Sequence, residues 1–187
     1  DATGAKKSFR EFALDWEDGL NLRKPDGTPV PVSSVGGDPY EQGNRGINYR
    51  NERFDPRLAR SPDPADVFSS AVHGDPATPV LQAYVGDPVR IRLLQASDRG
   101  RTHSVLIAGH AWADQPGDPS SRLVSASGRL LPVQGRTLDL VGGAGSVQHQ
   151  TGDYLIRDGL LLNQVNAGLW GLLRVNGSPV PGLKPLP

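Results

Sequence analysis

The stretch "TPVLQAYVGDPVRIRLL", Thr78 to Leu94, decides the fold. Val80 to Val85 is a short apolar run, Gly86-Asp87 is a turn signal, and Val89, Ile91 and Leu93 then alternate with Arg90 and Arg92. A period of two means a strand with one face in a core and its arginines in water. Downstream, "THSVLIAG" (Thr102 to Gly109) carries apolar residues on both faces, as a central strand covered on both sides does. Further strands are expected around Thr137 to Val141, from Asp153, and over Leu172 to Val175. Upstream, Phe12, Leu14 and Trp16 alternate within "SFREFALDWE", and "GINYRNERF" (Gly46 to Phe54) reads as one more short strand. No helical period of useful length is present, apart from one turn expected at Pro64. Short strands separated by turn signals predict an all-β, two-sheet sandwich with Greek-key connections. Residues 1–187 form a single domain in this reading. The regular core is 78–176, and 18–70 is largely a long loop insertion.

Composition narrows the function. Lys plus Arg number 20 and Asp plus Glu number 20, so the formal charge is zero and nothing recommends a nucleic-acid partner. No apolar run is long enough for a membrane span. The chain begins at Asp1 and holds no methionine, which fits a processed chain or a piece of a longer polypeptide. There is no cysteine, which removes disulfides, zinc–thiolate sites and cysteine nucleophiles. The 23 glycines and 17 prolines are spread along the chain and favour turns over helices.

Two of the four histidines, His103 and His110, bracket the third core strand in "RTHSVLIAGHAW". An odd spacing puts them on opposite faces of a regular strand unless Gly109 ends it and re-aims His110. The expectation is a buried or interface His103 and a His110 at the rim of the sandwich. His149 lies in a loop before the strand at Asp153, and a candidate imidazole–carboxylate site for copper or zinc would use His110, Asp114 or His149. The metal candidates are thus His103, His110 and His149. His73 is expected to contact a neighbouring domain from a loop. Asp158 is expected to pair with Arg157 or another basic group, because a buried carboxylate needs a partner. "VGGAGSV" (Val141 to Val147) lacks the following helix of a dinucleotide loop and reads as a hairpin or bulge. No Ser–His–Asp set is arranged in a recognisable order, and no catalytic or cofactor-binding residue is assigned.

Taken together, "TPVLQAYVGDPVRIRLL", "HSVLIAGHAW" and "GDYLIRDGLLLNQVNAGLWGLLRV" resemble three consecutive signatures of a cupredoxin-like domain of the multicopper oxidase family. They are similar also to domains of its ceruloplasmin-like and bacterial manganese-oxidase-like multi-domain members. The likeness runs from Phe9 to Val175. In the family's His-Pro-x-His-x-His-Gly-His strand, the first histidine holds a mononuclear copper and the next two reach a trinuclear cluster. His103 matches the first, Leu106 and Ala108 stand at the cluster positions, and Gly109-His110 match the close. In the late motif Gly152, Tyr154 and Gly168-Leu169 match, while Arg157, Asp158 and Gly159 replace His-Cys-His. Asn163 falls near the last histidine, and Asp158 stands where the copper cysteine belongs.

A blue-copper centre needs a thiolate with two imidazoles, and a chain without cysteine cannot build one. The resemblance therefore implies a domain that itself lacks the copper thiolate and the cluster ligands. Copper would be a cofactor of the family or assembly, with no metal assigned firmly to this chain. The implied partners are other cupredoxin domains or chains of an oxidase assembly, as a homo- or hetero-oligomer. The implied location is extracytoplasmic, secreted or periplasmic. The assembly's activity would be oxidation of a metal ion or an electron-rich substrate with oxygen. Two alternatives stay open: a stand-alone cysteine-free copper or zinc protein, and a purely structural or interaction domain.

Overall fold

The computed structural model describes residues 7–29, 44–97, 101–160 and 164–187. Its architecture is a two-sheet β-sandwich. One sheet joins β1 (Arg10–Leu20), β2 (Asn44–Ile47), β4 (Val89–Gln95) and β8 (Gly135–Asp139) in the order β2-β1-β4-β8. The other joins β3 (Val80–Tyr84), β5 (Val105–Ile107), β9 (Gly152–Asp158) and β10 (Trp170–Asn176) in the order β3-β10-β9-β5. A two-residue pair, β6 (Trp112–Ala113) and β7 (Leu123–Val124), lies beside them. The chain crosses between the sheets from β2 to β3, from β3 to β4, from β4 to β5 and from β8 to β9, while β1 pairs parallel with β4 and β3 parallel with β10.

The deciding stretch folds as its period predicts. Val89, Ile91 and Leu93 are buried, while the guanidinium of Arg90 reaches Asp139 and that of Arg92 reaches Glu11. Asp98, Arg99 and Gly100 lie outside the described residues. Leu14, Trp16, Ile91, Leu93 and Leu138 of one sheet meet Leu81, Ala83, Ile107, Ile156, Leu173 and Val175 of the other in the main core. Burial of such side chains contributes on the order of 1.5–3 kcal/mol each before the entropy cost of folding.

The segment between the first strands and the core differs from expectation. Strand β2 covers Asn44–Ile47 rather than 46–54. Asn48 and Tyr49 then turn the chain with φ of 52° and 60°, and Ile47 and Arg50 exchange backbone hydrogen bonds across them. The part expected to be loop contains α1 (Phe54–Arg60) and α2 (Ser70–His73), and the single turn expected at Pro64 is a 3-10 turn over Pro64–Asp66. Seven residues are too few for a helical period to register in the sequence. This segment forms a partial third layer. Phe54 and Phe68 pack on Val80, Leu155, Trp170 and Leu172 at the outer face of the second sheet. Phe68 meets Trp170 edge-on at 5.0 Å, and Arg57 lies over the Trp170 ring at 4.9 Å. The same Arg57 is buried and bonds Glu52 and the carbonyls of Val67 and Gly74. Strand β10 is consequently covered on both faces. Among the described residues no helix is long and apolar enough to cross a membrane.

Candidate functional site

Strand β1 carries its alternation one step past Trp16 and places Asp18 on the buried face, between the sheets. Gly19, at φ 71°, then breaks the register with β2. On the opposite sheet β9 ends with Asp158, fully buried. His103 sits between the two, its backbone held by paired hydrogen bonds to Leu130 just before β5 begins. Its Nδ1 is 2.5 Å from Asp158 Oδ2 and its Nε2 is 2.7 Å from Asp18 Oδ2. All three side chains are closed to solvent. Trp16 meets the imidazole edge-on at 6.1 Å.

The carboxylates are themselves held. The N–H of Leu160 donates to Asp158 Oδ1 at 2.7 Å. Arg45 Nε is 2.9 Å from Asp18 Oδ1, and its N–H is aimed at Gln164 Oε1 at 3.0 Å, so Arg45 offsets Asp18 chiefly by charge. The hydroxyl of Ser97 accepts from the Asp18 N–H at 2.8 Å and from Gln95 Nε2 at 2.9 Å. Two carboxylates thus face one imidazole and one guanidinium, and the charges balance when the imidazole is protonated. Burial alone would push His103 down. The bonds to Asp158 and Asp18 and their charges outweigh it and raise the imidazole to about 9. Burial pushes the Asp18 carboxyl up, but the bond and charge of His103 and the charge of Arg45 hold it below its ordinary range.

The basic group that pairs with the Asp158 carboxylate is His103 and not Arg157. The Arg157 guanidinium donates to the Asp158 carbonyl at 2.7 Å, because β9 alternation turns neighbouring side chains to opposite faces. Sequence reasoning also missed Asp18 and Arg45. The signal was present: Asp18 continues the Phe12, Leu14, Trp16 series on a face that proved to be buried.

His110 lies beyond the other end of β5. Gly109, at φ 68°, ends the strand and re-aims it, as the sequence suggested. It is buried rather than at an open rim. Its Nδ1 lies 2.8 Å from the Ala108 carbonyl and its Nε2 accepts from the Gly145 N–H at 3.1 Å, which fixes a neutral ring with the proton on Nδ1. Tyr154 packs edge-on at 4.6 Å. Burial holds the His110 pKa below its ordinary value, against the opposing pull of the Ala108 carbonyl. The glycine-rich Val141 to Val147 segment is a run of turns that supplies this donor, with Gly142, Gly143 and Gly145 all at positive φ.

His149 is exposed just after that run, and Asp114 is paired with Arg122. His73 is buried at the end of α2 instead of standing in a loop. The structure does not bring His103, His110 and His149 together, and among the described residues no three His, Cys, Asp or Glu side chains converge as a metal-ligand set. At the positions the resemblance assigns to cluster ligands, Leu106 and Ala108 line a hollow of about 230 Å³ with Leu155, Arg157 and Ser125, and none of these is an imidazole. Asn163 lies outside the described residues. A type 1 copper ion does not fit this residue set, which offers one imidazole with both nitrogens engaged and no thiolate or thioether in the whole chain.

No family model and no curated protein matches the chain. Among solved structures it is similar to a multicopper oxidase, with a TM-score of 0.55 and 13% identity over 93% of this chain and 46% of that one. It is similar also to a copper nitrite reductase from Nitrosomonas europaea, with a TM-score of 0.57 and 20% identity over 97% of this chain and 54% of that one. The chain therefore spans about half the length of either. Both neighbours are cupredoxin-fold proteins, and the chain has a cupredoxin-like β-sandwich fold.

Proposed function

We propose that this chain is a copper-free cupredoxin-like domain that serves as a structural and interface element beside copper-bearing cupredoxin domains in an oxidase assembly. One observation carries the reading. The position matched to the copper-holding histidine is occupied by an imidazole whose two nitrogens are both committed to carboxylates, inside a core closed to water. A ligand nitrogen must offer a lone pair to the metal, and this ring has none to give while both sites carry protons. The thiolate centre and the cluster would then belong to companion domains, and so would the oxidation of a metal ion or electron-rich substrate with oxygen. The similarity in fold to two copper enzymes, each about twice this length, supports the assembly side of the proposal. The extracytoplasmic location implied by the family is part of it.

The test is copper titration of the purified chain at pH 7, followed by visible absorption and metal analysis after desalting. The expected result is no stoichiometric copper and no absorption band. Retention of one copper per chain that is lost in His103→Ala would overturn the copper-free reading. Co-purification with a copper-bearing chain from the native source is the expected mark of the assembly, and a chain that purifies alone with oxidase activity would contradict it.

A further inference from the structure

The disagreement between this residue set and copper has a definite physical form. We infer that the matched copper position is built as an ionic clasp between the two sheets, in which a doubly protonated His103 replaces the metal and is held by Asp18 on β1 and Asp158 on β9. The inference stands on hydrogen-bond geometry and does not depend on the assembly proposed above.

A neutral imidazole has one donor and one acceptor nitrogen. Here each nitrogen stands within 2.7 Å of a carboxylate oxygen. An ionised carboxylate only accepts. With a neutral ring, one of these contacts would set a lone pair against a carboxylate. Only the imidazolium donates to both. Protonating a carboxylate instead would free one contact. Asp18 resists that, because Arg45 lies against its second oxygen. The second oxygen of Asp158 already accepts from the Leu160 N–H.

Among the described residues, β1 contributes Asp18, β2 contributes Arg45 and β9 contributes Asp158, while Gln95 at the end of β4 and Ser97 just after it are neutral. The clasp crosses the sandwich, since Asp18 and Asp158 lie on different sheets. It also does what a metal ion would do at this place, tying distant segments through one positive centre. His103 is 85 residues from Asp18 and 55 from Asp158.

The test is ¹⁵N NMR of the full chain, reading the His103 ring nitrogens against pH. The expected result at pH 7 is an N–H on both nitrogens, with slow solvent exchange. Asp158→Asn and Asp18→Asn should each lower the His103 titration midpoint by about 1–3 pH units, the usual effect of one opposite charge at this range. Should neither variant fold, the wild-type spectrum decides alone. A single N–H on His103 at pH 7 in the wild type overturns the inference, as does a midpoint unmoved by both folded variants.

Discussion

The backbone N–H of Gly145 donates to Nε2 of His110 across 3.1 Å, and that bond survives only while the ring is neutral. The unfolded chain protonates this histidine near pH 6.5, whereas burial keeps the folded ring neutral to lower pH. The unfolded state therefore binds more protons as pH falls below about 6.5, and stability is lost in that direction. Denaturant titrations at pH 5, 6 and 7 should show the decline. His110→Phe should cost about 1–3 kcal/mol at pH 7 by stranding the Gly145 donor, and should flatten the acid slope.

His103 works in the opposite sense. Its folded value of about 9 stands above its ordinary 6.5. The stabilisation is complete below about pH 6.5 and is lost as pH rises through about 9. The folding equilibrium constant should fall by a factor on the order of 10² between pH 6 and pH 10 through this group alone. The difference between wild type and His103→Gln isolates it from tyrosine and lysine titrations. A wild-type stability that stays level to pH 10 would contradict the assignment.

Gly168 adopts a φ of 117°, and a Cβ there would lie 2.8 Å from the Arg45 carbonyl and inside the Asn51 amide. Asn51 Nδ2 bridges the carbonyls of Arg45 and Ala167, so the clash would reach the strand that presents Arg45 to Asp18. Gly168→Ala should destabilise the fold by at least 1–3 kcal/mol, about the cost of one strained backbone position. Thermal unfolding checks it, and an unchanged melting temperature would show that the Arg45 support is not tight.

Trp170 is sealed under Phe68 and Arg57, with its Nε1–H donating to the Glu52 carbonyl at 2.7 Å. Trp170→Ala should cost about 3–5 kcal/mol. It should also release the 54–74 segment to limited proteolysis before the sandwich itself is cut. Mass spectrometry of the first fragments distinguishes this from global unfolding, which would give cuts throughout.

The parts of the fold that were legible in the sequence are those whose period is local. Val89, Ile91 and Leu93 could be placed inward because their alternation is complete within one strand. Helix α1 could not be read, because Phe54–Arg60 spans about two turns and its aromatic finds its partners, Phe68 and the Trp170 cluster, outside the helix. The two-residue strands β6 and β7 have no period at all. At the site, His103 and Asp158 could be read against a known pattern. Their partner Asp18 belongs to no local pattern beyond its parity with Trp16, and the text after it turns to glycine and leucine. A contact made across 85 residues depends on which faces meet, and that is decided only when both sheets exist.

Strand β10 is covered by the first sheet on one side and by the α1–α2 segment on the other. The domain therefore cannot be divided where its composition changes. A fragment limited to 78–176 would lose β1 and β2 from one sheet, and would leave Trp170 and Leu172 facing water on the other. It would also keep His103 and Asp158 while discarding Asp18 and Arg45, so a buried imidazolium would face a single carboxylate. What reads along the chain as decoration ahead of a core is, in space, the lid and half the counter-charge of that core.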